Sequence, residues 1–192
     1  MIKAIIFDWA GVIGADGYWI WLRKNVKDID EKSPYFQDIS EKVDRAEMSH
    51  EDFEKLLAGL FGKSAQEVWQ EIKREIVIND ELVRIIRNLK SHYKIGLLSN
   101  FTYPWLNELI SENNLYALFD AHVISSQHKV IKPNKEAFDK ILGMLGVSPG
   151  ESVFIDDRQG HVDAAKKFGL KGLLFKNNSE LLEEFRSLGV KT

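Results

Sequence analysis

AIIFDWAG, residues 4–11, and VFIDDR, residues 153–158, decide the fold. Each is an uninterrupted apolar run stopped by aspartate. A strand that is apolar on both sides is covered on both sides, the condition of a parallel sheet packed between helices. Working outward from these two, the runs at residues 2–7, 95–98, 122–124, 153–155 and 172–175 all end at polar residues. Amphipathic stretches begin near Asp80, Pro104, Asn134, Arg158 and Ser179. Pro104 suits a first helical turn and Asn134 suits a cap. Parallel strands need long crossovers, which helices supply. The expected fold class is therefore α/β, a Rossmann-like three-layer core with a parallel sheet in the middle.

Residues 15–79 break this rhythm, with helical periodicity and no clear strand. In MSHEDFEKLLAGLFG, residues 48–62, Phe53, Leu56, Leu57 and Leu60 make one apolar helix face that Gly62 ends. Ser49 with Asp52 resembles a capping box, Asp standing for Glu. The chain thus divides into a core, residues 1–14 and 80–192, and a helical cap inserted after the first strand, residues 15–79. Gly14 and Gly17 at the junction are expected to act as hinges. Tyr18, Trp19 and Trp21 either line the pocket the cap covers or weld the cap to itself, the commoner use of such a cluster.

A chain of 192 residues suits one compact core with a modest insertion. Apolar residues at 44% and charged residues at 29% exclude disorder and a membrane protein. A net charge of -3 offers no field to draw nucleic acid. The absence of cysteine removes disulfides, thiolate metal sites and a cysteine nucleophile. The first apolar run is too short for a signal peptide or a membrane span, so the expected location is the cytoplasm. The five histidines are scattered, and none is assigned to metal.

Open parallel sheets bind ligands beyond the carboxyl ends of their strands. The residues there are Asp8, the pair Ser99 and Asn100 in LLSN, and the pair Asp156 and Asp157 in FIDDR, with Lys132 preceding Pro133 in IKPNKEAF. Singly, each has a plain structural use as a turn former, a helix cap or a loop residue. Together, three acids, a hydroxyl and a lysine at one sheet edge are what phosphoryl transfer requires: a nucleophile, a cation and donors for the phosphoryl oxygens.

FDWAG, LLSN, IKP and FIDD also follow the order and approximate spacing of the four motifs of the haloacid dehalogenase superfamily, which the chain resembles along essentially its whole length. The insertion looks like the small cap of the first cap type. VDRAEMSHEDF, residues 43–53, resembles cap segments of small phosphatases in that superfamily. GHVDAAKKFGLKGLLF, residues 160–175, looks like their closing helix and strand, with His161 where Asn is frequent. The resemblance implies that Asp8 attacks phosphorus and forms an aspartyl-phosphate. It implies that Asp156 and Asp157 hold magnesium with an oxygen of Asp8 and the backbone carbonyl of Ala10. Ser99 would donate to a phosphoryl oxygen beside Asn100, and Lys132 would neutralise charge on nucleophile and substrate. Trp9, beside the nucleophile, is expected to touch solvent or substrate. The implied substrate is a small phosphorylated metabolite, with no nucleic-acid or membrane partner.

Position 10 departs from the pattern. Most phosphatases of the superfamily carry a second Asp there, to protonate the leaving oxygen and later activate water; this chain has Ala10. General acid–base catalysis is typically worth about 10²- to 10⁴-fold. Three readings stay open: an atypical magnesium phosphatase, a phosphonatase-like or dehalogenase-like hydrolase, and a non-catalytic binder of a phosphorylated ligand or a protein. FDWAG resembles motif one of phosphonoacetaldehyde hydrolase, which needs a cap lysine for a Schiff base; Lys24, Lys27, Lys32, Lys42 and Lys55 lie in the insertion. A dehalogenase proper works without metal and keeps no acidic pair in its fourth motif, so FIDD counts against it.

Overall fold

The computed structural model describes residues 1–191. Strands β1 (Ala4–Phe7), β2 (Lys94–Ser99), β3 (Ala121–Ile124), β4 (Ser152–Asp156) and β5 (Lys171–Leu174) form one parallel sheet in the order β3-β2-β1-β4-β5. Each apolar run read from the sequence is a strand, to within two residues at its ends.

Successive side chains of a strand point to opposite faces. Ala4 and Ile6 of β1, with Leu98, Val123 and Phe154, pack on Phe138, Ile141 and Leu145 of α8 (Lys135–Leu145) and Ala165 of α9 (Gln159–Lys167). Ile5 and Phe7 face the other way, toward α5 (Asp80–Leu89), α6 (Tyr103–Glu112) and α10 (Asn178–Ser187), which contribute Leu82, Ile86, Leu106, Leu109 and Phe185. This is the three-layer arrangement expected. A short helix after β3, α7 (Ser125–His128), has no counterpart in the sequence reading. Among the described residues, no helix is long and apolar enough to cross a membrane.

Between β1 and α5 lie four helices, α1 (Gly17–Asn25), α2 (Ile29–Asp44), α3 (His50–Phe61) and α4 (Ala65–Arg74). Helix α3 starts and stops for the reasons read from its sequence. Ser49 Oγ accepts from the Asp52 N–H at 3.1 Å, and Gly62, at φ 62°, closes the last turn. The apolar faces of the four helices, with Trp21, Phe36, Leu57 and Ile72, run into the core on the α5–α6 side of the sheet. Trp69 of α4 stacks on Trp105 of α6 with ring centroids 4.4 Å apart and planes 8° apart. Around that stack, Trp69 Nε1 and Lys73 Nζ both donate to Glu108, at 3.0 and 2.6 Å.

At the junction, Ala15 N–H donates to the Val77 carbonyl and Asn79 N–H to that of Ile13, so the two chain crossings are tied together. A Cβ on Gly17 would lie 2.3 Å from Ile76 Cγ1 and 2.8 Å from the Ile72 carbonyl. Glycine there serves close packing of α1 on the end of α4.

The strand order places the site. The chain leaves β1 outward through β2 and β3, then returns to β4 on the other side of β1. Connections that diverge in this way open a crevice at the carboxyl ends of the two central strands. β1 delivers Asp8 to it, and β4 delivers Asp156 and Asp157.

Candidate active site

Asp8 is the first residue past β1, and its N–H still pairs with the Ile155 carbonyl at 2.9 Å. Its side chain meets a buried cation. Lys132 Nζ lies 2.8 Å from Asp8 Oδ1 and 2.6 Å from Asp156 Oδ2, with the lysine side chain wholly buried. Asn100 clamps the lysine backbone from both sides: its Nδ2 donates to the Lys132 carbonyl and its Oδ1 accepts from the Lys132 N–H, each at 2.9 Å. The amide from LLSN therefore positions Lys132, although Asn100 also lines the cavity described below.

Asp156 has both oxygens engaged. Oδ1 accepts from the Arg158 N–H at 2.9 Å, Oδ2 from Lys132, and His161 Nδ1 lies 3.1 and 3.0 Å from the two. Burial opposes its ionisation, yet Lys132 and His161 together hold its carboxyl well below the usual range. For Asp8 the balance falls the other way. Burial pushes its carboxyl up, against the pull of Lys132, and the Asp156 charge adds to the rise. Burial lowers the lysine, but the two carboxylates more than offset it and raise it above its ordinary value. The lysine charge is thus spent mainly on Asp156, which stays ionised, while Asp8 is the carboxyl still open to a further cation.

Asp157 faces the opposite way from Asp156. A Cβ on Gly11 would fall 2.2 Å from Asp157 Oδ2, so this carboxylate rests directly on the loop that follows Asp8. Gly11 has φ 77°, in the left-handed region that glycine enters without strain. Asp8 Oδ1 is taken by Lys132 and by the Trp9 N–H at 2.7 Å. Among the described residues, neither Asp8 Oδ2 nor the Asp157 carboxylate accepts a hydrogen bond. Asp8, Asp156 and His161 each bring one ligand atom within 4.8 Å of the others, the spacing of a metal site. Both oxygens of Asp156 already meet Lys132, the Arg158 N–H or His161, whereas Asp8 Oδ2 and the Asp157 carboxylate have no hydrogen-bond partner among the described residues, so these are the oxygens most open to a hard cation.

Above these groups, under the four-helix insertion, is a cavity of about 220 Å³. Asp8, Ala10, Asn100, Lys132 and Arg158 line its floor, and Tyr18, Trp19, Gln37, Asp44 and Phe53 its roof. Ser99 and Asp156 lie buried beneath it. Ser99 is 1% exposed and is not among the cavity-lining residues, and its hydroxyl has no partner among the described residues. A buried donor left so costs about 1–3 kcal/mol, which a ligand oxygen would recover. Trp9 corrects an expectation: it is wholly buried, is not among the cavity-lining residues, and its indole packs in the core against Gly14. The chain turns back sharply after Asp8, where the Trp9 carbonyl accepts from Val12, Ile13 and Gly14, and the turn carries the indole inward. Of the aromatics after the junction, Tyr18 and Trp19 line the cavity while Trp21 is buried in the insertion, bonded to Glu71 at 2.9 Å. None of Lys24, Lys27, Lys32, Lys42 and Lys55 lines it. Asp16, Asp44, Arg158 and His161 are site neighbours that the motifs did not nominate; only the departure from Asn at His161 hinted at one of them.

Residues 2–169 match the haloacid dehalogenase-like hydrolase family. This chain belongs to that family. Among similar hydrolases, D-ribitol-5-phosphate phosphatase of Bacteroides thetaiotaomicron is 26% identical over 201 residues, spanning 96% of this chain and 97% of that protein. A HAD-like family hydrolase from Porphyromonas gingivalis has the same fold over the full length of both chains, with a TM-score of 0.80 at 24% identity. A HAD family enzyme from B. thetaiotaomicron, solved in complex with magnesium and inorganic phosphate, superposes with a TM-score of 0.77 at 22% identity, covering 94% of this hydrolase and 99% of the other.

Proposed function

We propose that this hydrolase is a magnesium-dependent phosphatase of a small phosphorylated metabolite, acting through an aspartyl-phosphate on Asp8. The observation that carries the reading is the buried Lys132 bridging Asp8 and Asp156, with the second oxygen of Asp8 and the Asp157 carboxylate left open. The phosphatase named above, similar along its whole length, and the relative solved with magnesium and phosphate support it.

Asp8 Oδ2, the Ala10 carbonyl and Asp157 are the groups that would hold magnesium, which when bound supplies positive charge against the phosphoryl oxygens. The chain's own residues do the rest. Asp8 presents its carboxylate to phosphorus, and Lys132 keeps that carboxylate from repelling the incoming phosphoryl group. Asp156 and Asn100 fix the lysine, one by its ammonium and the other by its backbone. The Ser99 hydroxyl donates to a phosphoryl oxygen. The insertion roofs the cavity, and its modest volume selects a small leaving group. With no insertion lysine lining the cavity, the Schiff-base route of a phosphonatase has no supporting residue.

The test is phosphate release from a panel of phosphomonoesters with and without magnesium, for the natural chain and Asp8→Asn. Turnover should need magnesium and vanish in the variant, whose circular dichroism stays unchanged because the amide keeps the carboxylate's shape. Activity retained without Asp8, or no turnover anywhere on the panel, refutes the reading.

A further inference from the structure

Ala10 leaves the leaving-group oxygen without a proton donor at the place where the loop after Asp8 would otherwise supply one. A replacement must reach the same cavity from elsewhere, carry a proton near neutral pH and give it up. The ionisable residues lining the cavity beyond Asp8 and Lys132 can be taken in turn. Glu41 has both oxygens bonded within its own helix, to Gln37 at 2.8 Å and Arg45 at 3.0 Å. Asp16 caps the start of α1, accepting from the Trp19 N–H at 3.4 Å, and faces Arg158 at 3.9 Å. Burial raises its carboxyl, but that carboxyl is occupied at the start of the helix and faces the Arg158 guanidinium, and both of these restrain the rise by favouring the anion. Burial pushes the Tyr18 hydroxyl far above its ordinary value, so it holds its proton too tightly. His161 is turned onto Asp156.

Asp44 differs from all of these. It is the last residue of α2, where the helix dipole disfavours a negative charge. Among the described residues its side chain has one hydrogen bond, a long one from Ser125 Oγ to Oδ1 at 3.4 Å, and the residue lines the cavity. The charged groups acting on it come from every side: Arg158 after β4, Lys132 before α8 and Asp8 after β1, with the Tyr18 ring nearby on α1. Burial pushes its carboxyl up to about 7, Asp8 adds to the rise, and Arg158 and Lys132 restrain it. A group poised there can both give and take a proton at neutral pH.

We propose that Asp44 is the general acid and base of this site, reaching across from the insertion to do the work that position 10 does not. The proposal rests on the phosphatase reading above. In the first step Asp8 forms a bond to phosphorus, the phosphorus–oxygen bond to the leaving group breaks, and the leaving oxygen takes the Asp44 proton and departs as an alcohol. In the second, water attacks phosphorus, the bond to Asp8 breaks, and the water proton passes to Asp44. Phosphate leaves, and both carboxyls return to their starting states. Catalysis by this route needs α2 in place over the substrate, because the acid is part of the roof.

The experiment compares the natural chain with Asp44→Asn on alkyl and aryl phosphates of similar size, in saturating magnesium, with rapid mixing. Alkyl turnover should fall by about 10²- to 10⁴-fold. Aryl phosphates leave without a proton, so the variant should release one equivalent of phenol in a burst and then stall as phosphoenzyme. Adding Ala10→Asp to the variant should restore part of the alkyl rate. Independently of activity, carbon NMR of labelled aspartate should show two carboxyls titrating near neutrality, Asp8 and Asp44, of which the Asp44 signal disappears in Asp44→Asn. Equal losses on both substrate classes with no burst, unchanged alkyl turnover, or an Asp44 that titrates in the usual carboxylate range would overturn the assignment. A natural chain that hydrolyses neither class takes the phosphatase reading down with it, whereas one that hydrolyses both while Asp44→Asn shows no leaving-group dependence removes only Asp44.

Discussion

Replacing Lys132 by methionine keeps the length of the side chain and removes its charge. In the natural protein the ammonium lies 2.8 and 2.6 Å from two carboxylates whose side chains are 7% and 0% exposed. Methionine fills the space but leaves both carboxylates uncompensated beneath the cavity. Breaking a buried ion pair from one side costs about 3–5 kcal/mol. A domain of this size loses about 2–4 °C of melting temperature per kcal/mol, so the fall should be roughly 6–20 °C. The deficit should also depend on pH with a definite sign. In the natural chain Asp156 ionises below its unfolded value, so its contribution is present above the unfolded range and is lost as pH falls through the depressed value. Without the lysine, Asp8 and Asp156 both ionise above their unfolded values. The variant then loses stability as pH rises through those raised values and recovers it in acid. The gap between the two proteins should therefore be smallest near pH 5 and widen toward pH 8. Thermal and urea unfolding followed by circular dichroism, in EDTA so that no metal replaces the missing charge, reads it directly. A gap under about 1 kcal/mol, the value of an exposed pair, or one that does not change with pH, would refute the placement of Lys132 between two buried carboxylates.

Two further outcomes follow from the loop after Asp8. Gly11→Ala puts a Cβ 2.2 Å from Asp157 Oδ2 in a left-handed conformation, so Asp157 must move. Magnesium titration of activity should shift to concentrations roughly 10–100-fold higher, and an unchanged titration removes Asp157 from the metal. Ala10→Asp in the natural background should raise alkyl phosphate turnover by about tenfold or less and leave aryl turnover nearly unchanged, since it duplicates an acid already present. A gain on aryl substrates as large as on alkyl ones would show that the added carboxylate works otherwise than as a proton donor.

The sequence by itself determined the layered fold and where its chemistry had to lie. Short apolar runs without alternation, each stopped by polar residues and followed by a helical pattern, fit strands covered on both faces, and a parallel sheet brings all their carboxyl ends to one edge. Asp8, Asn100 and Asp156 meet there for that reason alone, although long stretches of chain separate them. Ser49 and Gly62 marked the ends of α3 because caps act within one turn. Tertiary structure decided what direction decides. Asp156 and Asp157 are neighbours in sequence, yet one turns down to Lys132 and His161 and the other up to the loop at Gly11, since consecutive side chains of an extended segment point opposite ways. Trp9 follows Asp8 directly but is swept into the core by a turn whose hydrogen bonds no pattern of polarity announces. Asp44 carries no motif: its placement depends on how α2 lies across the sheet edge, and its proton affinity on burial and on charges from three other segments. Periodicity records which side of an element is buried, a local property written in the order of residues. Which carboxylate meets which cation depends on distances between segments, and those exist only once the chain has packed.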